Sequence, residues 1–93
     1  MIYFHGGGCI AGTPKQHEKI CARYAVECQA VIVNVAYRLA PECKAPSGLY
    51  DAYAAIKWVI ANADTLGIDK ARICTFGESG GGWVTAGSAL LCV

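Results

Sequence analysis

Apolar residues fall along the chain in three short runs and three longer stripes, and the two kinds alternate. Ile2-Tyr3-Phe4, Ala30-Val31-Ile32-Val33-Asn34-Val35 and Ile73-Cys74-Thr75-Phe76 are brief and continuous. Such runs suit strands of a parallel sheet that is covered on both faces. Between them, apolar positions recur every three or four residues, as on one face of a helix. The first stripe is His17, Ile20, Cys21, Tyr24 and Cys28, entered through Thr13-Pro14, an N-cap followed by proline at the first helical position. The second runs from about Ser47 to Ala63 through Leu49, Ala52, Tyr53, Ile56, Val59, Ile60 and Ala63, with Gly67 closing the region. The third spans Gly80 to Cys92. Strand–helix alternation with connections this long predicts an α/β fold, three parallel strands joined by right-handed crossover helices.

Two strand-like runs end in glycine-rich turns, His5-Gly6-Gly7-Gly8 and Gly77-Glu78-Ser79-Gly80-Gly81. The carboxyl ends of parallel strands are where such sheets bind ligands, so both turns fall at the functional edge. The second fits the pattern G-x-S-x-G of a nucleophile elbow, with a strand before it and a helix after it. A serine hydroxyl is a poor nucleophile unless it is held exposed, near a base and near donors that stabilise an oxyanion. A tight strand-to-helix turn lifts Ser79 above the sheet, and Gly77 and Gly81 leave room for it. Gly80 can aim its N–H at the oxyanion, aided by the positive end of the following helix. Gly6, Gly7 and Gly8 omit side chains where a strand end would otherwise pack them, which exposes backbone N–H groups. The pair predicts acyl transfer on an ester or amide.

Composition narrows the setting. Ninety-three residues allow one domain, and 55% hydrophobic with 16% charged is rich for a chain of this size. With Met1 opening directly into the first strand, residues 1–93 are expected to be a partial catalytic domain, truncated at both ends. A net charge of +1 from scattered residues offers no nucleic-acid stripe or polybasic patch. No secretory leader is visible, and the most apolar stretch, Trp83 to Val93, is too short to span a bilayer. The six cysteines show no C-x-x-C spacing. They are expected to be reduced, with Cys74 and Cys92 packing inside their elements, which points to a cytoplasmic location.

Other candidate groups have simpler explanations. His17 reads as a packed or capping histidine and Glu78 as structural, because neighbours at an elbow point in different directions. Asp51 and Asp64 read as helix-placed and solvated. Trp58 and Trp83 read as packing residues rather than a substrate box.

The three segments His5-Gly6-Gly7-Gly8, Tyr37-Arg38-Leu39-Ala40-Pro41-Glu42 and Gly77-Glu78-Ser79-Gly80-Gly81-Gly82 resemble the signatures of the hormone-sensitive-lipase branch of α/β-hydrolases, a group of carboxylesterases and arylacetamide-deacetylase-like enzymes. The likeness spans essentially the whole chain but about a third of a family catalytic domain. It implies Ser79 as nucleophile, the N–H groups of Gly7, Gly8 and Gly80 as oxyanion donors, and His5 with Gly6 as supports of the oxyanion loop. His5 is not implied as the base, because the triad of this fold runs serine, then acid, then histidine along the chain. Arg38 and Glu42 would fix the loop after the second strand. The resemblance further implies hydrolysis of small-molecule carboxylic esters with neither metal nor organic cofactor. The chain departs from the pattern at Cys9, Cys43 and Glu78, and no counterpart of the triad acid or histidine follows Ser79. The segment alone is therefore expected to be nearly inactive. A ligand-binding receptor of the same fold is the alternative reading.

Overall fold

The computed structural model describes residues 1–8, 12–39 and 47–92. Three strands, β1 (Ile2–Phe4), β2 (Val33–Val35) and β3 (Thr75–Gly77), form a parallel sheet in the order β2-β1-β3. Phe4 pairs with Val35 on one side and Gly77 on the other. The carboxyl ends of β1 and β3 are therefore level, and the two glycine turns leave the sheet side by side.

Alternation along β1 sorts its side chains to two faces. Ile2 and Phe4 are fully buried in a core with Ala52, Ile56, Val59 and Val84. These come from α2 (Ser47–Ala61) and α4 (Gly80–Leu91), which pack against each other. Gly87 permits that close approach, since a Cβ there would collide with Leu49 Cδ1. Tyr3 turns to the other face, toward Phe76 at 4.9 Å between ring centroids and His17 at 6.0 Å. Tyr24 of α1 (Glu18–Cys28) meets Phe76 edge-on at 5.3 Å, so α1 covers this face. Helices thus lie on both sides of the sheet, as its continuous apolar strands require.

Several boundaries differ from the periodicity. The turn Pro14–His17 ahead of α1 is 3₁₀, with Gln16 N–H donating to Thr13 O and Gln16 Oε1 accepting from Thr13 N–H. The second strand pairs over Val33–Val35 alone. The second helix breaks at Asn62, whose backbone turns to φ −108° and ψ 15° although its N–H and its Nδ2 both donate to Trp58 O, at 3.0 and 2.8 Å. A short α3 (Ala63–Leu66) follows and ends at Gly67 in the left-handed region, φ 69°. The third strand starts at Thr75, two residues after a 3₁₀ turn, Lys70–Arg72, that is capped by Asp69.

Two packing expectations are corrected. Trp58 and Trp83 are 53% and 55% exposed rather than packed. Each stands one residue from a buried position, Val59 and Val84, and one helical step turns a side chain about 100° around the axis. Ile60 is exposed for the same reason. Cys74 and Cys92 are also exposed, as is Cys28, and only Cys21 of the described cysteines is buried. The exposed three sit at the ends of elements, where neighbouring turns do not enclose them. All four described cysteines are unpaired, while Cys9 and Cys43 lie outside the described residues. Among the described residues no helix is long and apolar enough to cross a membrane.

Candidate active site

The turn after β3 is built around one unusual backbone conformation. Ser79 has φ 55° and ψ −122°, far from any region a side-chain-bearing residue adopts readily. Such a residue costs on the order of 1–3 kcal/mol and persists only when its surroundings over-determine it. Here they do. Gly81 N–H donates to Glu78 O at 2.9 Å, and Gly82 and Trp83 N–H groups donate to Ser79 O at 2.9 and 3.3 Å. A Cβ on Gly77 would stand 2.5 Å from Gly81 O and 2.7 Å from Phe4 O. One on Gly81 would overlap Phe4 O. The elbow can close onto β1 only with glycine at both positions. Ser79 is exposed and its side chain makes no capping bond to α4, whose first residue is Gly80.

The turn after β1 lies directly against this elbow. A Cβ on Gly6 would be 3.1 Å from Glu78 O and 3.6 Å from Ser79 Cβ. Gly7 and Gly8 follow with φ 128° and 64°, conformations that glycine adopts without penalty. His5 is 1% exposed, and its Nδ1 lies 2.8 Å from Gly6 O, which assigns the proton to Nδ1 as the donor. The imidazole stacks with Tyr37 at 4.6 Å and His17 at 5.6 Å, both nearly parallel to it. Tyr37 Oη donates to His5 O at 2.6 Å, inside the core. Gly12, at φ 95°, backs the loop, since a Cβ there would stand 2.7 Å from Gly6 O. His5 is thus held at its ring by two stacked neighbours and at its carbonyl by the Tyr37 hydroxyl.

An open groove of about 730 Å³ runs above these turns, lined by Gly6, Gly7, Gly12, Gln16, His17, Glu78 and Ser79. His17 Nδ1 lies 3.1 Å from Thr13 O, so His17 caps the preceding turn while it stacks on His5. Glu78 accepts a 2.7 Å hydrogen bond from Tyr3 Oη. Burial, and then the Glu78 carboxylate, push the Tyr3 phenol above its ordinary range, so it remains a donor. Burial likewise pushes the Cys21 thiol up. Asp51 is engaged away from the groove. Arg38 donates to it from its backbone N–H at 2.8 Å and from Nε at 2.8 and 3.0 Å, tying the segment after β2 to α2. The Arg38 guanidinium holds the Asp51 carboxyl below the usual carboxylate range. Glu42 lies outside the described residues.

Sequence reasoning passed over Tyr3 and Tyr37. Both could have been found from position, since Tyr3 shares a strand face with His5, and Tyr37 opens the segment that carries Arg38. Among the described residues no cluster of three metal-ligating side chains occurs.

The whole of residues 1–93 matches the family model described as the alpha/beta hydrolase fold. The chain belongs to that family. A carboxylesterase of Mycobacterium tuberculosis is 44% identical over 91 residues, which is 98% of this chain and 28% of that protein. The esterase structure of Pyrobaculum calidifontis superposes with a TM-score of 0.96 at 45% identity, over 98% of this chain and 30% of that one. Human hormone-sensitive lipase is 39% identical over 82 residues, 88% of this chain and 8% of its own length. The chain therefore spans less than a third of these relatives.

Proposed function

We propose that residues 1–93 form the oxyanion-loop and nucleophile part of the catalytic domain of a serine carboxylesterase. The observation that carries the reading is the exposed Ser79 held at φ 55° against the glycine turn of β1. Strain of this kind is retained where it is part of a mechanism. The relatives named above as esterase and carboxylesterase favour carboxylic esters as the substrate class.

In the complete protein, Ser79 Oγ attacks the ester carbonyl carbon as a general base takes its proton. The electron pair of the carbonyl moves to oxygen, where the N–H groups of Gly7, Gly8 and Gly80 receive the charge. Each such donor is worth about 3–4 kcal/mol in the transition state. Collapse expels the alcohol and leaves an acyl-enzyme on Ser79, which water then hydrolyses. His5 is not the base in this scheme. Its Nδ1 proton is committed to Gly6 O and its ring to the stack, so it supports the loop together with Gly6. The acid and histidine of the triad lie beyond Ser79 in chain order, and residues 80–93 contain neither Asp, Glu nor His. Without them this segment alone has only the residual rate that oxyanion donors provide. The four unpaired described thiols favour a reducing, cytoplasmic setting.

Hydrolysis of short-chain p-nitrophenyl esters tests the reading. The full-length protein should turn them over, and its Ser79→Ala variant should lose at least about 10³-fold in kcat. A full-length protein that binds esters without turnover would instead be a receptor of this fold.

A further inference from the structure

The hydrogen bond between Tyr3 and Glu78 joins the two halves of the site, and neither residue has a role in the reaction scheme above. Tyr3 lies two residues before His5 on β1 and is 1% exposed. Its ring is fixed by Phe76 at 4.9 Å, and its Oη donates to Glu78 Oε1 at 2.7 Å. Glu78 immediately precedes the strained Ser79. Its backbone carbonyl accepts from Gly81 N–H and faces Gly6, where a Cβ would come within 3.1 Å. Its side chain is exposed to the groove except where the phenol holds it. Nothing in elbow sterics demands an acceptor here, since Gly77 and Gly81 already satisfy the close approach. An exposed carboxylate that takes its hydrogen bond from a buried phenol on the neighbouring strand is a fixed strut.

We infer that Glu78, braced by Tyr3, is a positioning residue that sets Ser79 relative to the oxyanion loop. This rests on the reading of Ser79 as nucleophile. Because both groups anchor to β1, the strand that also delivers Gly6 to Gly8, nucleophile and oxyanion donors share one rigid reference. The strut contributes to the rate only through geometry, so what matters at position 78 is an acceptor oxygen rather than a charge.

The test uses the full-length hydrolase with wild type, Tyr3→Phe, Glu78→Ala, Glu78→Gln and the Tyr3→Phe/Glu78→Ala double variant. Steady-state rates on a p-nitrophenyl ester are normalised to active sites counted by end-point reaction with a fluorophosphonate, which removes misfolded molecules from the comparison. Tyr3→Phe and Glu78→Ala should each lower kcat about tenfold, as loss of one hydrogen bond predicts, with KM unchanged. The double variant should fall no further than the worse single, and Glu78→Gln, whose amide oxygen still accepts, should restore most of the rate. Additive losses, a change confined to KM, or no recovery with Gln would overturn the inference. A wild type whose Ser79 is not labelled would overturn both readings. A labelled wild type with variants at full rate would overturn this one alone.

Discussion

Gly81 and Gly82 are neighbours in the first turn of α4, yet alanine at each should move stability in opposite directions. A methyl carbon on Gly81 would overlap Phe4 O and stand 2.7 Å from both His5 O and Phe4 C, where ordinary contact begins at 3.4 Å. All three obstacles are backbone atoms at the end of a strand paired on both sides, so none can rotate away. The start of α4 would have to withdraw from β1 by more than about an ångström to relieve the overlap with Phe4 O. Overpacking ordinarily costs about 1–3 kcal/mol, and a rigid neighbour puts Gly81→Ala at the upper end, ~3 kcal/mol. A methyl carbon on Gly82 would meet only Gly77 O at 3.5 Å, an ordinary contact. That helical position then gains alanine's propensity, worth about 0.5–1 kcal/mol. Urea denaturation of the two variants should therefore separate them by roughly 4 kcal/mol, with wild type between. Ser79 moves with the helix, so Gly81→Ala should also lose ~100-fold in esterase rate. A Gly81→Ala protein as stable as Gly82→Ala would refute the argument that the elbow closes against β1.

Other perturbations act on separate parts of the molecule. Ser79→Gly should be more stable than Ser79→Ala by about 1–2 kcal/mol in the same assay, because only glycine adopts φ 55° without strain. Tyr37→Phe leaves the buried His5 carbonyl without its 2.6 Å donor, and should lose about 1–3 kcal/mol of unfolding free energy. Arg38→Ala should raise the Asp51 pKa toward its ordinary value, as read by NMR titration of the carboxyl. The sign follows from linkage: a carboxyl lowered in the folded state adds stability above its unfolded pKa and loses it as pH falls through the folded value. Wild type should accordingly lose more stability than Arg38→Ala on acidification below about pH 4.

The topology was legible because it rests on long-range patterning. Three apolar runs separated by helical stripes admit little besides a parallel sheet, and Ile2–Phe4 and the Gly80 helix start appear where the sequence put them. The tight turn at Ser79 was legible for a steric reason, since glycines two residues to either side leave few alternatives to it. Element ends were less so. The break of the second helix at Asn62 is a change of backbone angles that periodicity does not register, since Asn62 N–H still donates to Trp58 O at 3.0 Å. Trp58 and Trp83 deceived because each adjoins a buried position, Val59 and Val84, and one helical step separates a buried side chain from an exposed one. Tyr3 and Tyr37 were legible by position, beside His5 and Arg38, but not by partner. Their partners, Glu78 and the His5 carbonyl, are distant in sequence and meet only through sheet register.

Whether Ser79 is a nucleophile is decided by covalent capture. The full-length protein should be treated with a fluorophosphonate, digested, and the modified residue located by mass spectrometry. A single adduct should form on Ser79, in step with loss of ester hydrolysis. An intact Ser79 in fully inhibited protein, or an adduct on another serine, would contradict that role.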